Sequence, residues 1–202
     1  MKLLSIDPSS TCTGWAAYTD GTCTASGYIS RRKGVDWAVR LAGELAAISS
    51  DPALNLVVIE DVSNRSNRGK YFGPKLLQWG KAVGIAFGAC WPTPCEGYPS
   101  NWLAGKIYAK SKHLRLQFAN RLAQHGHPVT NVDEATAILF GRWYIDTMQA
   151  RTGAMIGSVT RASESQNPSR KINVKTSSPA QVVAAATTPR TARPGRRLRN
   201  NQ

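Results

Sequence analysis

Three acidic residues stand where a fold would not place them for its own sake. Asp7 closes an apolar segment, Glu60 closes the most apolar segment of the chain, and Asp133, followed by Glu134, opens a helical pattern after Pro128. An ionised carboxylate beside a core costs free energy unless it is paired or bound to a cation. Acids from separate segments that end neighbouring strands or start a helix can converge at the carboxyl edge of an open α/β sheet, the usual ligand site of such folds. Carboxylate oxygens are the ligands Mg²⁺ prefers. Two such ions ~4 Å apart stabilise both the attacking and the leaving oxygen in phosphodiester cleavage. Each acid also has an ordinary reading. Asp7-Pro8-Ser9-Ser10 has turn composition, and Glu60-Asp61 can mark a strand's exit to solvent. Thr130-x-x-Asp133 and Asn131-x-x-Glu134 both have capping-box spacing, and acids favour helix N-termini. Taken jointly, in a basic chain, the three favour a metal centre.

The elements that would position these acids read as one α/β domain over residues 1–150. Residues 3–7 form a short apolar strand. Strands over 14–19 and 24–29 flank Asp20-Gly21, a strong hairpin signal. Residues 36–49 carry Trp37, Leu41, Leu45 and Ile48 at helical spacing. Residues 55–60 are apolar on both faces, as in the middle of a covered sheet. Helical patterns follow over 74–89, 111–124 and 132–148, with a short strand near 95–98. In the first of these helices Gly80, Gly84 and Gly88 recur at every fourth position, which suggests close packing against another backbone. His125-x-His127 lies far from any thiol and reads as a loop feature rather than a metal site.

Charge is the main compositional signal. The 202 residues hold 26 Lys plus Arg against 12 Asp plus Glu, a formal net of +14. Such an excess suggests a polyanionic partner, because Lys and Arg neutralise phosphates and release counterions. Residues 151–202 contain no Phe, Trp or Tyr and hold ten Lys or Arg and one acid, Glu164. A segment of this composition does not bury enough apolar surface to offset its ordering entropy, so 151–202 is expected to be a disordered basic tail. Cys12, Cys23, Cys90 and Cys95 include no C-x-x-C pair, which argues against a thiolate zinc site and for free thiols in a reducing compartment. Asp7 interrupts the N-terminal apolar stretch too early for a signal peptide, and no apolar run would span a membrane. An intracellular protein is expected.

The segment Leu4-Ser5-Ile6-Asp7-Pro8-Ser9-Ser10-Thr11-Cys12-Thr13-Gly14-Trp15 resembles the first motif of RuvC-type Holliday-junction resolvases, in which Ile-Asp-Pro-Gly-Ser leads to Thr-Gly-Tyr or Thr-Gly-Trp. Val57-Val58-Ile59-Glu60 resembles the second, a strand ending in the catalytic Glu. Asp133-Glu134-Ala135-Thr136-Ala137-Ile138 resembles the third, an Asp-x-Ala-Asp-Ala helix start. The likeness covers roughly residues 1–148. It departs at Ser9, where Gly is commoner, and at Thr136, where the family has a further acid.

The resemblance implies an RNase H-like mixed sheet flanked by helices, and a homodimer that nicks four-way DNA junctions with Mg²⁺, or Mn²⁺ in its place. It implies Asp7, Glu60 and Asp133 as metal ligands. The fourth ligand would be Glu134, or a water held by Thr136. Lys110 would be the Lys near the active centre, and Lys112 would add a DNA contact. Arg65, Arg68 and Lys70 lie in a Ser/Asn/Gly-rich loop after Glu60, placed to hold phosphates. Tyr71-Phe72 occupies a loop where the family inserts an aromatic that stacks on a base. No nucleotide cofactor and no membrane are implied. The expected setting is the cytoplasm of a bacterial or phage-infected cell, and the basic tail would suit a phage-encoded enzyme. Three rival readings remain. One is an actin-like ATPase, disfavoured because the chain is too short for a second phosphate-binding lobe. The others are an RNase H-like nuclease for flaps, single strands or RNA–DNA hybrids, and a non-catalytic basic nucleic-acid-binding protein.

Overall fold

The computed structural model describes residues 1–61 and 74–165. The elements run β1 (Lys2–Asp7), β2 (Cys12–Thr19), β3 (Thr22–Ser30), α1 (Trp37–Ile48), β4 (Leu56–Asp61), α2 (Pro74–Ala89) and β5 (Cys95–Pro99). Two short 3₁₀ turns (Ser100–Leu103 and Ile107–Lys110), α3 (Lys112–Leu122) and α4 (Val132–Ser165) follow. Asp20 (φ 50°) and Gly21 (φ 84°) both take the left-handed conformation that a tight two-residue hairpin needs, which joins β2 to β3 as the sequence suggests. Asp36 caps α1 by accepting from the backbone N–H groups of Ala38 and Val39.

The five strands form one mixed sheet in the order β3-β2-β1-β4-β5. β1, β2 and β3 are antiparallel, whereas β4 runs parallel to both β1 and β5. Because side chains alternate along a strand, β1 and β4 divide their apolar residues between two faces. Leu3 and Val58 pack with Phe140, Ile138 and Ala119 of α4 and α3. Leu4, Ile6, Val57 and Ile59 pack with Leu41, Leu45, Ala82 and Ala86 of α1 and α2. The sheet is thus covered on both sides, which explains why β4 lacks a polar face.

Helix α4 lies unusually close to β1 and β2. A Cβ at Gly14 would stand 2.0 Å from the Asp133 carbonyl oxygen, and one at Gly141 would stand 2.7 Å from Ser5 Oγ. Buried Ser5 donates to the Ala137 carbonyl at 2.8 Å and so fastens β1 to the helix. The glycine stripe of α2 behaves otherwise. A Cβ at Gly80, Gly84 or Gly88 meets nothing within 4 Å among the described residues, so the expected close packing is not found. The composition change at residue 150 falls inside α4, which continues to Ser165. The loop holding Arg65, Arg68, Lys70, Tyr71 and Phe72, and the tail beyond Ser165, lie outside the described residues.

Candidate metal centre

Parallel pairing of β1 with β4 reaches Ile6 opposite Ile59, and Asp7 and Glu60 are the next residue on each strand. The two carboxylates therefore leave adjacent strands at the same carboxyl edge. They interact directly through a side-chain hydrogen bond, and Asp133 contributes charge to the same spot. Glu60 is buried, at 4% exposure. Asp7 lines a cavity of about 310 Å³ with Pro8, Ser9, Ser10, Glu60, Trp79, Leu103, Arg115 and Thr136. Burial first, then the charges of Glu60 and Asp133, hold the Asp7 carboxyl well above its ordinary value of 3.8, and Arg115 partly opposes them. Three carboxylates gathered at one cavity form an oxygen-rich, anionic donor set. A divalent cation that takes oxygen ligands fits this donor set.

The N-terminus of α4 settles which residue caps the helix. Asn131 Oδ1 accepts from the backbone N–H of Asp133 at 2.8 Å and of Glu134 at 3.1 Å. The cap is Asn131, and the Asp133 side chain is left for the acidic cluster. The neighbouring Cys12 thiol is pushed up to about 12, first by burial and then by its hydrogen bond to Asp133 and that residue's charge, so it stays protonated at neutral pH. Gly14 is what permits this proximity. With no side chain there, the first turn of α4 rests on β2 beside Asp7.

Glu134 goes elsewhere, contrary to its expected place beside Asp7. One residue along a helix is a turn of about 100°, and this carries its carboxylate to the far side of the Asp133 backbone. There it accepts from Ser26 Oγ at 2.6 Å and forms a cluster with His125 and His127. Thr136 lines the cavity beside Asp7 and Glu60. Its hydroxyl donates to the Val132 carbonyl at 2.8 Å and accepts from Arg115 Nη1 at 3.1 Å, so its proton is already committed. Lys110 ends a 3₁₀ turn, is exposed, and is not among the residues that line the cavity. Lys112, the first residue of α3, is likewise exposed. The cation that the structure does place at the centre is Arg115, which the sequence reading passed over. A signal existed: Arg115, Ala119 and Leu122 share one helical stripe, and Ala119 is fully buried. An Arg on an inward stripe marks a cation aimed at the interior.

The sheet order, the parallel β1–β4 pair and the helix that brings a third acid to its edge define the fold class: an RNase H-like, RuvC-like mixed sheet flanked by four helices. Solved structures that share it include two of RuvC. The chain is similar to T. thermophilus RuvC in complex with a Holliday junction substrate, at 14% identity and TM-score 0.57, covering 76% of this chain and 96% of that one. It is similar to the Thermus thermophilus RuvC structure at 13% identity and TM-score 0.55, covering 76% and 97%. At such identity the likeness speaks for the fold. No protein-family model and no curated protein matches the sequence.

Proposed function

We propose that the chain is a Mg²⁺-dependent endodeoxyribonuclease that nicks four-way DNA junctions, a Holliday-junction resolvase. The observation that carries this reading is the meeting of Asp7, Glu60 and Asp133, from two strands and a helix, at one edge of the sheet. Supporting it are the net charge of +14 and the RuvC fold, one of whose solved members holds a Holliday junction substrate. In this reading Asp7, Glu60 and Asp133 would hold Mg²⁺, or Mn²⁺ in its place, with two ions per centre proposed. Bound there, the metal supplies Lewis-acid charge to the scissile phosphate and to the attacking and departing oxygens.

The chain's own residues set the rest of the chemistry. Asp7 and Glu60 are held rigidly because each sits at the carboxyl end of a strand anchored on two packed faces, Asp7 as the last residue of β1 and Glu60 as the penultimate residue of β4. Arg115, tethered by Thr136, keeps a permanent positive charge beside the cavity, where it favours the charge that builds on the phosphate in the transition state. Ser9 and Ser10 line the cavity mouth and offer hydroxyls to phosphate oxygens. The products carry 5′-phosphate and 3′-hydroxyl ends. A homodimer would present two such centres to a symmetric junction, with Lys110, Lys112 and the basic loop meeting the arms. The setting proposed is the cytoplasm of a bacterial or phage-infected cell. Among the described residues, no helix is long and apolar enough to cross a membrane.

The test is a panel of a synthetic four-way junction, linear duplex, single strand and RNA–DNA hybrid, each with and without Mg²⁺. Metal-dependent cleavage confined to the junction is the expected result. Equal nicking of every substrate would leave only an unspecialised nuclease. Cleavage of the hybrid alone would favour the related RNase H-type activity.

A further inference from the structure

The second cluster of metal-competent side chains lies on the opposite side of the α4 N-terminus from the acidic centre. One ligand atom each from His125, His127 and Glu134 lie within 4.8 Å of one another. Three elements bring them there. The chain after α3 pairs with the edge of the sheet through a bridge from Cys23 to Ala123 and a hydrogen bond from Gln124 N–H to the Cys23 carbonyl. This sets His125 and His127 over β3, and Glu134 arrives from the first turn of α4. The imidazoles stack with centroids 4.0 Å apart.

The hydrogen bonds of the cluster do not close on themselves. Ser26 Oγ donates to Glu134 Oε1 at 2.6 Å and also lies 2.6 Å from His125 Nε2. A serine has one proton, and the carboxylate, an acceptor only, takes it. If His125 carries its proton on Nε2 and donates to Ser26, the Nδ1 lone pair is left over. That Nδ1 is buried and has no hydrogen-bond partner among the described residues. If the proton sits on Nδ1 instead, the Nε2 lone pair faces an oxygen with no hydrogen to offer. Either tautomer leaves one ring nitrogen of a neutral imidazole unsatisfied, which is costly for a buried polar group. A hydrolytic Ser–His–acid relay does not explain the arrangement, because the acid of such a relay bonds the imidazole. Here it bonds the serine.

We propose that His125, His127 and Glu134 bind a first-row divalent transition-metal ion, with Zn²⁺ the natural occupant and Ser26 an outer partner that orients Glu134 and His125. Two imidazoles and one carboxylate suit Zn²⁺, whereas Mg²⁺ prefers oxygen ligands alone. Donors on a tetrahedral Zn²⁺ stand about 3.4 Å apart, given metal–ligand bonds of about 2.1 Å. The observed separations exceed this by at most about 1.4 Å, within reach of the exposed His127 ring. The ion would tie the α3–α4 connection to the helix turn that carries Asp133, a structural clamp separate from the acidic centre.

The experiment uses the full chain stripped with EDTA, in excess Mg²⁺ so that the oxygen-ligand centre is saturated. Zn²⁺ is titrated calorimetrically, and Co²⁺ binding is read from its visible absorption. Expected are one equivalent of Zn²⁺ per chain and a rise in Tm of about 5–10 °C at saturation. His127→Gln, at an exposed position, weakens Zn²⁺ binding by at least roughly 10-fold, the loss that even an outer-shell partner causes, and removes the Co²⁺ bands. Asp7→Asn retains both. Loss of the equivalent in Asp7→Asn, its persistence in His127→Gln, or no equivalent in the wild type would each overturn the proposal.

Discussion

Asp133 and Glu134 are adjacent acids at the start of one helix, yet they serve different regions of the molecule. Asp133 faces Asp7 and Glu60, a centre of carboxylate oxygens where Arg115 opposes the rise in the Asp7 carboxyl. Glu134 faces Ser26, His125 and His127, where nitrogen dominates and the carboxylate is hydrogen-bonded. The first region gathers negative charge on oxygen, and the second carries a ring nitrogen that no hydrogen bond among the described residues satisfies. Helical geometry separates them: a step of about 100° per residue sends consecutive side chains to different neighbours. A motif match alone does not say which of two adjacent acids enters a site.

The largest expected contrast comes from neutralising the two acids in turn. Asp133→Asn should lower the rate of junction nicking by roughly 1,000-fold, about 4 kcal/mol of transition-state stabilisation, as expected for the loss of a carboxylate that holds a catalytic cation. Glu134→Gln should cost stability more than rate, about 1.5–3 kcal/mol for the lost charge-assisted hydrogen bond from Ser26. Single-turnover kinetics and denaturant melts check the pair. Equal rate losses would erase the distinction between the two regions.

Arg115→Met comes next, with a maximal rate lower by about 100-fold, comparable to removing one preorganised donor. The half-saturating Mg²⁺ concentration should fall in the same variant, because a cation beside the acids is gone. A fall in rate with weaker Mg²⁺ dependence would mean that Arg115 holds the ligands rather than the substrate. Gly14→Ala probes the hinge between the regions. Its Cβ would sit 2.0 Å from the Asp133 carbonyl oxygen, so α4 must retreat. A loss of about 1–3 kcal/mol is expected, measured by urea unfolding.

The smallest effect is the pH dependence of the metal-free fold. Asp7 ionises less readily in the folded protein than in the unfolded chain, where its value is near 3.8. Below that pH it is protonated in both states and costs nothing. As pH rises toward the elevated folded value, the unfolded chain ionises first and stability declines. Above that value the cost is fully present. In EDTA the Tm of the wild type should therefore fall with rising pH more than that of Asp7→Asn, and Mg²⁺ should restore it at neutral pH.

Much of this was legible in the chain. The two-sided apolar pattern of residues 55–60 placed β4 inside a covered sheet, and Asp20-Gly21 fixed the hairpin. These features depend on local period and turn chemistry, which a sequence displays directly. Of the seven described residues named for the site, the structure gathers Asp7, Glu60 and Asp133, sets Thr136 in the wall of the same cavity bonded to Arg115, turns Glu134 away, and leaves Lys110 and Lys112 on the surface. What the chain did not show has one cause. Whether Glu134 or Thr136 completes a site depends on what a helix meets in space, and Arg115 and Ser26 come from elements distant in sequence. His125-x-His127 lacked meaning until the loop carrying it was laid along β3 beside Glu134.

The acidic centre itself is tested most directly by Asp7→Asn, assayed for Mg²⁺-dependent nicking of a four-way junction after its Tm in EDTA shows it to be folded. The variant is expected to be at least as stable as the wild type at neutral pH, because a repelling charge is gone, and to nick roughly 1,000-fold more slowly. A folded Asp7→Asn protein that nicks the junction at the wild-type rate would contradict a catalytic role for this centre.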